Sequence, residues 1–247
     1  MTPTPVGMRC PECMKQRTRV VQGVGGGGGH FSRYPVTMVL IAINAIVYLV
    51  EIASGPGGLN NPGGSFVFDY ALQGVSVAEG EWYRLITSGF LHASLLHIGF
   101  NMLLLFFLGR LLEPALGTVR FLALYFACLL AGSFGALALT NPLALTLGAS
   151  GAIFGLAGAV FVIARGRGMD AVATEIGFLI VFNLVFSFTA ANVSVGGHLG
   201  GLVAGVLCGL TIVAGERGRL GTKRLPAELL MIAAIAVVSV LGALAVA

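Results

Sequence analysis

Four polar residues spread between positions 97 and 198 could together stabilise and attack a carbonyl group. Ser150 could serve as a nucleophile if His198, acting as a general base, removed its proton. His97 and Asn101 are four positions apart, so they share one face of a helix, and both can donate hydrogen bonds to an anionic oxygen. We interpret Ser150 and His198 as catalytic. His97, Asn101 and the backbone N–H of Ser150 form the predicted oxyanion site.

The surrounding sequence is 57% hydrophobic and only 10% charged, whereas a soluble domain has about a quarter of its residues charged. Most of its apolar stretches approach the ~20 residues that a membrane-spanning helix needs. Backbone groups in lipid must be satisfied within the segment, so these stretches are helices. The sequence predicts an all-α, polytopic membrane bundle with seven transmembrane helices, at about 36–53, 91–112, 119–139, 150–164, 172–190, 196–214 and 228–246.

The basic residues predict how this bundle is oriented. With the N-terminus in the cytoplasm, thirteen of the fourteen Lys and Arg residues lie inside, and Arg84 alone lies outside. The first helix has no convincing cleavage site after it and is interpreted as a permanent span. In this orientation the second, fourth and sixth helices all begin at the external side. The four polar residues therefore share one depth in the membrane.

The fourth apolar stretch is too short to cross a bilayer. Its 15 residues, 150–164, span about 22 Å as a helix, and Arg165 and Arg167 place its far end at the cytoplasmic surface. The near end must then stop below the external surface. Non-helical backbone at that depth is tolerated only inside protein or beside a wet cavity. Ser150 is therefore predicted to lie at the floor of a water-filled pocket.

Small residues follow both predicted catalytic residues. Gly151 comes directly after Ser150, and Gly201 and Gly205 follow His198. Glycines at such spacing let membrane helices approach closely, which would bring the serine and the histidine together.

Phe154 lies one turn after Ser150 and could stack on the ring of His198. No acidic residue is placed to complete a triad, since Asp170 and Glu175 map to the cytoplasmic side and the others to the external loop or its flanks, so a Ser–His dyad is predicted. His92, five residues before His97, is expected to point elsewhere and to have a supporting role.

At these residues the chain closely resembles the rhomboid family of intramembrane serine proteases. The resemblance covers residues 36–215. The family's patterns appear in order as Trp82-Tyr83-Arg84, with one residue inserted; as His92, His97 and Asn101; as Gly148-Ala149-Ser150-Gly151; and as His198, Gly201 and Gly205. Glu113 matches an acidic residue near the end of the family's second helix. Phe154 stands where some members have Tyr.

The resemblance implies that Ser150 attacks a scissile carbonyl, with His198 moving the proton and His97 and Asn101 stabilising the oxyanion. Eight further residues would have supporting roles: Gly148, Gly151, Phe154, Gly201, Gly205, His92, Trp82 and Arg84. It implies single-span membrane proteins as substrates, entering near the Phe-rich fifth helix. The lipid bilayer is the other expected partner. No nucleic acid and no cofactor are expected, and a bacterial plasma membrane is the expected location.

Three segments organise the predicted chain. Residues 1–35 form a basic, Gly-rich cytoplasmic tail, residues 36–215 a six-helix protease core, and residues 216–247 a cytoplasmic linker with the seventh helix. The tail contains Cys10 and Cys13, and His30 is the one other nearby ligand. Zinc sites use four ligands, so these two cysteines are weak metal candidates.

Two other classes of protein fit the same residues. A non-catalytic rhomboid-like protein could bind membrane helices, although the loss of Ser150 or His198 that would favour this reading is not found. A transporter could use His92, His97 and His198 as a proton path, but no internal repeat supports that alternative.

Overall fold

The computed structural model describes residues 33–189, 193–220 and 224–247, together with the backbone of a short antiparallel pair near the N-terminus. The two strands are β1 (Thr2–Thr4) and β2 (Gly7–Arg9). The helices of this part of the chain are α1 (Pro35–Ser54), α2 (Gly64–Tyr70), α3 (Gly74–Ala78), α4 (Arg84–Thr87), α5 (Leu95–Leu116), α6 (Thr118–Leu139), α7 (Ser150–Gly166), α8 (Asp170–Thr189), α9 (Val195–Glu216) and α10 (Arg224–Val246).

The predicted helical membrane bundle is confirmed. Among the described residues, six helices are long and apolar enough to cross a bilayer, namely α1, α5, α6, α8, α9 and α10. The seventh apolar helix, α7, has 17 residues and reaches only about 25 Å. This helix begins at Ser150 and corresponds to the apolar stretch 150–164, which the sequence predicts to be too short to cross a bilayer. The chain is therefore an integral membrane protein.

Helices α7 and α9 pack backbone against backbone. A methyl group added at Gly201 would lie 1.9 Å from the carbonyl oxygen of Gly151, and one added at Gly205 would lie 1.8 Å from that of Gly155. No side chain fits in such a gap, so these glycines allow the contact. Because the two helices run in register at this contact, their first turns lie side by side.

Charged groups join helix ends at the opposite end of α7 and α9. Arg167, just past α7, donates a 3.2 Å hydrogen bond from Nε to the Glu216 carboxylate at the end of α9. This hydrogen bond raises the pKa of Arg167, and burial opposes it to a smaller extent. Arg120 of α6 and Glu228 of α10 form a second ion pair at 3.1 Å.

Glu113 joins the end of α5 to the start of α1. Its buried carboxylate accepts hydrogen bonds from the backbone N–H groups of Val36 and Thr37, at 2.9 and 2.8 Å, and from the Thr37 hydroxyl at 2.7 Å. The first N–H groups of a helix have no partner within it, and a negative charge there is favourable. The acidic residue singled out in the sequence thus caps a neighbouring helix.

The second membrane helix begins later than its apolar stretch predicts. The stretch starts at residue 91, whereas α5 starts at Leu95. The reason is Ser94, whose side chain accepts a hydrogen bond from the backbone N–H of His97 and ends the preceding extended segment. His92 therefore precedes the helix and is not part of it.

Candidate active site

Ser150 and His198 are in hydrogen-bond contact in the structure. The distance between Ser150 Oγ and His198 Nε2 is 2.8 Å. Ser150 is the first residue of α7, and His198 lies in the first turn of α9. That turn is capped by Ser194, whose Oγ accepts a 3.1 Å hydrogen bond from the Gly197 N–H. The close packing of α7 and α9 brings together two residues that are 48 positions apart.

Phe154 lies against one face of the His198 ring. The two ring centroids are 4.2 Å apart, and the planes differ by 16°, which is a stacked arrangement. Only 8% of His198 is exposed to solvent. Stacking and burial together limit rotation of the imidazole and keep Nε2 directed at the serine hydroxyl.

The other nitrogen of His198 contacts a residue that sequence reasoning missed. Ser187 Oγ lies 2.6 Å from His198 Nδ1 and 2.7 Å from the carbonyl oxygen of Asn183, one turn earlier in α8. Asn183 and Ser187 are polar residues one helical turn apart within the apolar stretch 176–188 of this helix, and polar groups in such a stretch are a functional signal. That signal was in the sequence, but it did not show which face of α8 meets His198.

His97 and Asn101 line the same cavity as Ser150 and His198. The backbone N–H of Ala93 donates a 3.3 Å hydrogen bond to His97 Nδ1. In a neutral ring the proton must then be on Nε2, which makes that nitrogen a donor. Asn101 is 5% exposed, and its Nδ2 is buried with no hydrogen-bond partner among the described residues. Both side chains thus have donor hydrogens available to a bound group.

Gly148 leaves room for the His97 ring. Its φ is +124°, a backbone conformation that favours glycine. An added methyl group would lie 2.7 Å from His97 Cε1 and 2.8 Å from His97 Nε2. The Gly148 N–H donates to the Ser88 carbonyl at 2.9 Å. The loop before Ser150 can pass beside the donor because this position has no side chain.

The segment just before α3 forms hydrogen bonds with the loop that precedes Ser150. Leu72 and Thr146 exchange two backbone hydrogen bonds of 2.9 and 2.8 Å. The buried Arg84 guanidinium holds the same segment by donating from Nη1 to the carbonyl oxygens of Phe68 and Ala71, at 2.6 and 2.7 Å. Arg84 therefore has no direct contact with this loop and supports it through the segment that contains Leu72. Trp82 is 63% exposed and does not line the cavity.

His92 contacts His97, contrary to the expectation that it points elsewhere. The ring centroids are 5.0 Å apart in an edge-to-face arrangement. The backbone N–H of His92 donates to both oxygens of the buried Glu51 carboxylate, at 3.1 and 3.2 Å. The expectation was wrong because His92 lies in the extended segment before α5, so helical spacing from His97 does not apply to it.

A cavity of about 140 Å³ lies between α5, α7, α8 and α9. Ser150, His198, His97, Asn101 and Ser187 all contribute to its wall. A single water needs only about 10–15 Å³ of such space, so the cavity has room for several water molecules. It is large enough for a reacting group beside the serine hydroxyl.

No group of three His, Cys, Asp or Glu side chains lies close enough to hold a metal ion within residues 33–189, 193–220 and 224–247. The two cysteines in this part of the chain, Cys128 and Cys208, are buried and free. Cys10, Cys13 and His30 lie outside the described residues.

A membrane bundle that buries a hydrogen-bonded Ser–His pair beside unpaired donors has the architecture of an intramembrane serine protease. The Rhomboid domain profile matches residues 79–215. The chain is 34% identical to the rhomboid protease GluP of Bacillus subtilis over 81% of its length, and 28% identical to the rhomboid-like protease 1 of Toxoplasma gondii over 73%. It is also 35% identical to YdcA, a rhomboid relative in B. subtilis, over 75% of its length.

These matches cover very different shares of the relatives: 39% of GluP, 64% of the T. gondii protein and 92% of YdcA. The match to YdcA is close to full length, and the domain profile covers more than half of this chain. The chain belongs to the rhomboid family of intramembrane serine proteases.

Proposed function

We propose that this chain is a serine endopeptidase that cleaves the transmembrane helices of membrane proteins, with Ser150 and His198 as its catalytic dyad. The observation that carries the proposal is the 2.8 Å contact between Ser150 Oγ and His198 Nε2. A serine hydroxyl is a weak nucleophile unless a base of this kind is within hydrogen-bond reach. Among the described residues, no carboxylate bonds the other ring nitrogen, so the pair acts as a dyad.

The geometry supports a two-step acyl transfer. Ser150 Oγ attacks the scissile carbonyl carbon while its proton passes to His198 Nε2, and His198 then gives that proton to the departing amine. Water, activated by the same nitrogen, releases the acyl group from Ser150. The negative oxygen of each tetrahedral intermediate would accept hydrogen bonds from His97 Nε2–H, Asn101 Nδ2–H and the Ser150 N–H, which has no partner within its helix.

The proposed substrates are single-span membrane proteins cut near the external end of their helix. Residues that weaken the substrate helix would favour cleavage, since a peptide bond must leave its helix to reach Ser150. Entry beside α8 is supported by the exposed, apolar surface of that helix, which carries Phe178, Phe182, Phe186 and Phe188. We further propose a bacterial plasma membrane as the location, with the N-terminus in the cytoplasm and the active site opening outward.

A fluorophosphonate probe tests the nucleophile without knowledge of the substrate. Purified wild-type protein in detergent should form a covalent adduct at Ser150, and the Ser150→Ala and His198→Ala variants should not. Ser239→Ala is a matched control, because Ser239 is a buried serine of α10 whose hydroxyl bonds its own helix at Ile235. It should label like the wild type.

Labelling of Ser150→Ala at the wild-type rate would exclude Ser150 as the nucleophile. Undiminished labelling of His198→Ala would exclude His198 as its base. Mass spectrometry of the labelled peptide identifies the modified residue in each case.

A further inference from the structure

Ser187 has no place in the predicted dyad, yet it makes one of the shortest polar contacts of the site. Its Oγ is 2.6 Å from His198 Nδ1. Ser187 lies in α8 and is 2% exposed, so water does not compete for this contact. The same Oγ is 2.7 Å from the carbonyl oxygen of Asn183. The Ser187 hydroxyl therefore lies within hydrogen-bond distance of both groups.

The chemistry of these three groups fixes the position of each hydrogen. A hydroxyl has one hydrogen to donate, and a carbonyl oxygen can only accept. The Ser187 hydrogen must therefore go to Asn183, which leaves Ser187 Oγ as an acceptor for His198 Nδ1–H. In the neutral ring Nε2 then carries no proton, and its lone pair faces the Ser150 hydroxyl. This is the tautomer that can remove the serine proton.

We propose that Ser187 is a positioning residue that holds His198 in this tautomer and stabilises the imidazolium formed during acylation. The inference rests on the proposed protease function and deepens it, since it assigns a neutral hydroxyl to the place that a carboxylate occupies in a triad. Hydrogen bonds to an ionised group are stronger than those between neutral groups. The Nδ1–H···Oγ bond therefore strengthens as His198 gains its second proton, which lowers the barrier to attack by Ser150.

Inactivation kinetics of the full chain provide the first test. The fluorophosphonate concentration is varied to separate the maximal inactivation rate constant from the half-saturating concentration. Ser187→Ala should lower the rate constant about 10- to 100-fold, the value of a hydrogen bond to a charged group, and leave the half-saturating concentration unchanged. Ser187→Thr keeps the hydroxyl and should restore most of the rate. Thr189→Ala, which removes a hydroxyl bonded only within the same helix, should react like the wild type.

The tautomer itself provides a second test that does not depend on activity. The chain has four histidines, so ¹⁵N-histidine NMR in micelles gives few signals, and His198→Ala identifies that of His198. The wild type should show His198 protonated at Nδ1, and Ser187→Ala should shift the population towards protonation at Nε2. A thermal melt of each variant checks that it is folded. If Ser187→Ala does not fold, Ser187→Cys, a weak acceptor of similar size, replaces it.

The outcomes separate the two proposals. A folded Ser187→Ala variant with an unchanged His198 tautomer and an unchanged inactivation rate would overturn the role of Ser187. A slower variant with an unchanged tautomer would also overturn it, because a merely structural defect gives that result. If the wild type does not label at all, the protease function fails, and the NMR measurement alone decides whether Ser187 sets the tautomer.

Discussion

At the scale of single residues, the site presents donors whose hydrogens have no acceptor in the described part of the chain. His97 is held with its proton on Nε2 by the Ala93 N–H, and Asn101 Nδ2 is buried without a partner. A buried polar group without a hydrogen bond costs about 1–3 kcal/mol of stability. The unpaired donors lie at the cavity where the proposed oxyanion would form. Donors that are in place before the reaction are what a preorganised catalytic site requires.

The oxyanion assignment predicts opposite effects on activity and stability. Asn101→Ala and His97→Ala should each slow fluorophosphonate labelling by about 10²-fold, the usual effect of removing one such donor. Asn101→Ala should leave the unfolding temperature unchanged or raise it, because it removes an unpaired buried amide. The rate of labelling and the thermal midpoint are measured on the same sample.

Asn44→Ala is the matched control for Asn101, since Asn44 is also a buried amide but belongs to α1 and donates to the Leu40 carbonyl. It should retain the wild-type labelling rate. If Asn101→Ala labels as fast as the wild type, Asn101 has no part in oxyanion stabilisation.

At the scale of the helices, the contact between α7 and α9 sets the distance between Ser150 and His198. The glycines of this contact leave the backbones touching, so the proposed nucleophile and base are held by two rigid helices rather than by loops. Rigid elements hold catalytic groups more accurately than loops do. The proposed dyad therefore requires the α7–α9 contact for activity as well as for stability.

Gly205→Ala tests this contact. Its added methyl group would lie 1.8 Å from the Gly155 carbonyl oxygen, so the helices must separate, and we expect a loss of about 1–3 kcal/mol in the free energy of unfolding together with slower labelling. The control is Gly99→Ala in α5, where nothing lies within 4 Å of the added group; helix propensity there favours alanine by up to about 1 kcal/mol. Denaturant titration in mixed micelles measures the free energy of unfolding of both variants. Equal stability of the two variants would contradict the close packing.

At the scale of the whole molecule, the ion pairs and the proposed catalytic residues lie at opposite ends of the bundle. The ion pairs Arg167–Glu216 and Arg120–Glu228 join helix ends at one side, whereas Ser150 and His198 lie at the helix starts of the other. A membrane whose cytoplasmic side retains basic residues would place the ion-paired side inside. The active site would then face outward, as the proposed function requires.

Reporter fusions test this orientation. Alkaline phosphatase, which is active only outside the cytoplasm, should be inactive when fused after residue 220 and active when fused after residue 247. Green fluorescent protein at the same two positions should give the reverse pattern and controls for expression. Active phosphatase at residue 220 together with inactive phosphatase at residue 247 would mean that the bundle is inverted.

Much of this architecture follows from the sequence alone. The apolar stretches predict the membrane helices, and the shortness of the stretch at Ser150 predicts that α7 starts below the surface. These properties depend on hydropathy, charge and length, which are local. The shared depth of His97, Asn101, Ser150 and His198 follows from the same reasoning, because helix direction alternates along the chain.

Only the tertiary structure decides which side chains meet. The bond between Ser187 and His198 depends on how α8 is rotated against α9, and hydropathy carries little information on rotation in a helix that is apolar on most sides. The contact of His92 with His97 depends on the Ser94 cap that delays the start of α5. Hydrogen positions depend on both partners of each bond, so the tautomers of His97 and His198 follow only from contacts between segments. The sequence determined the helices and predicts their shared depth; packing determined which nitrogen of each ring can accept a proton.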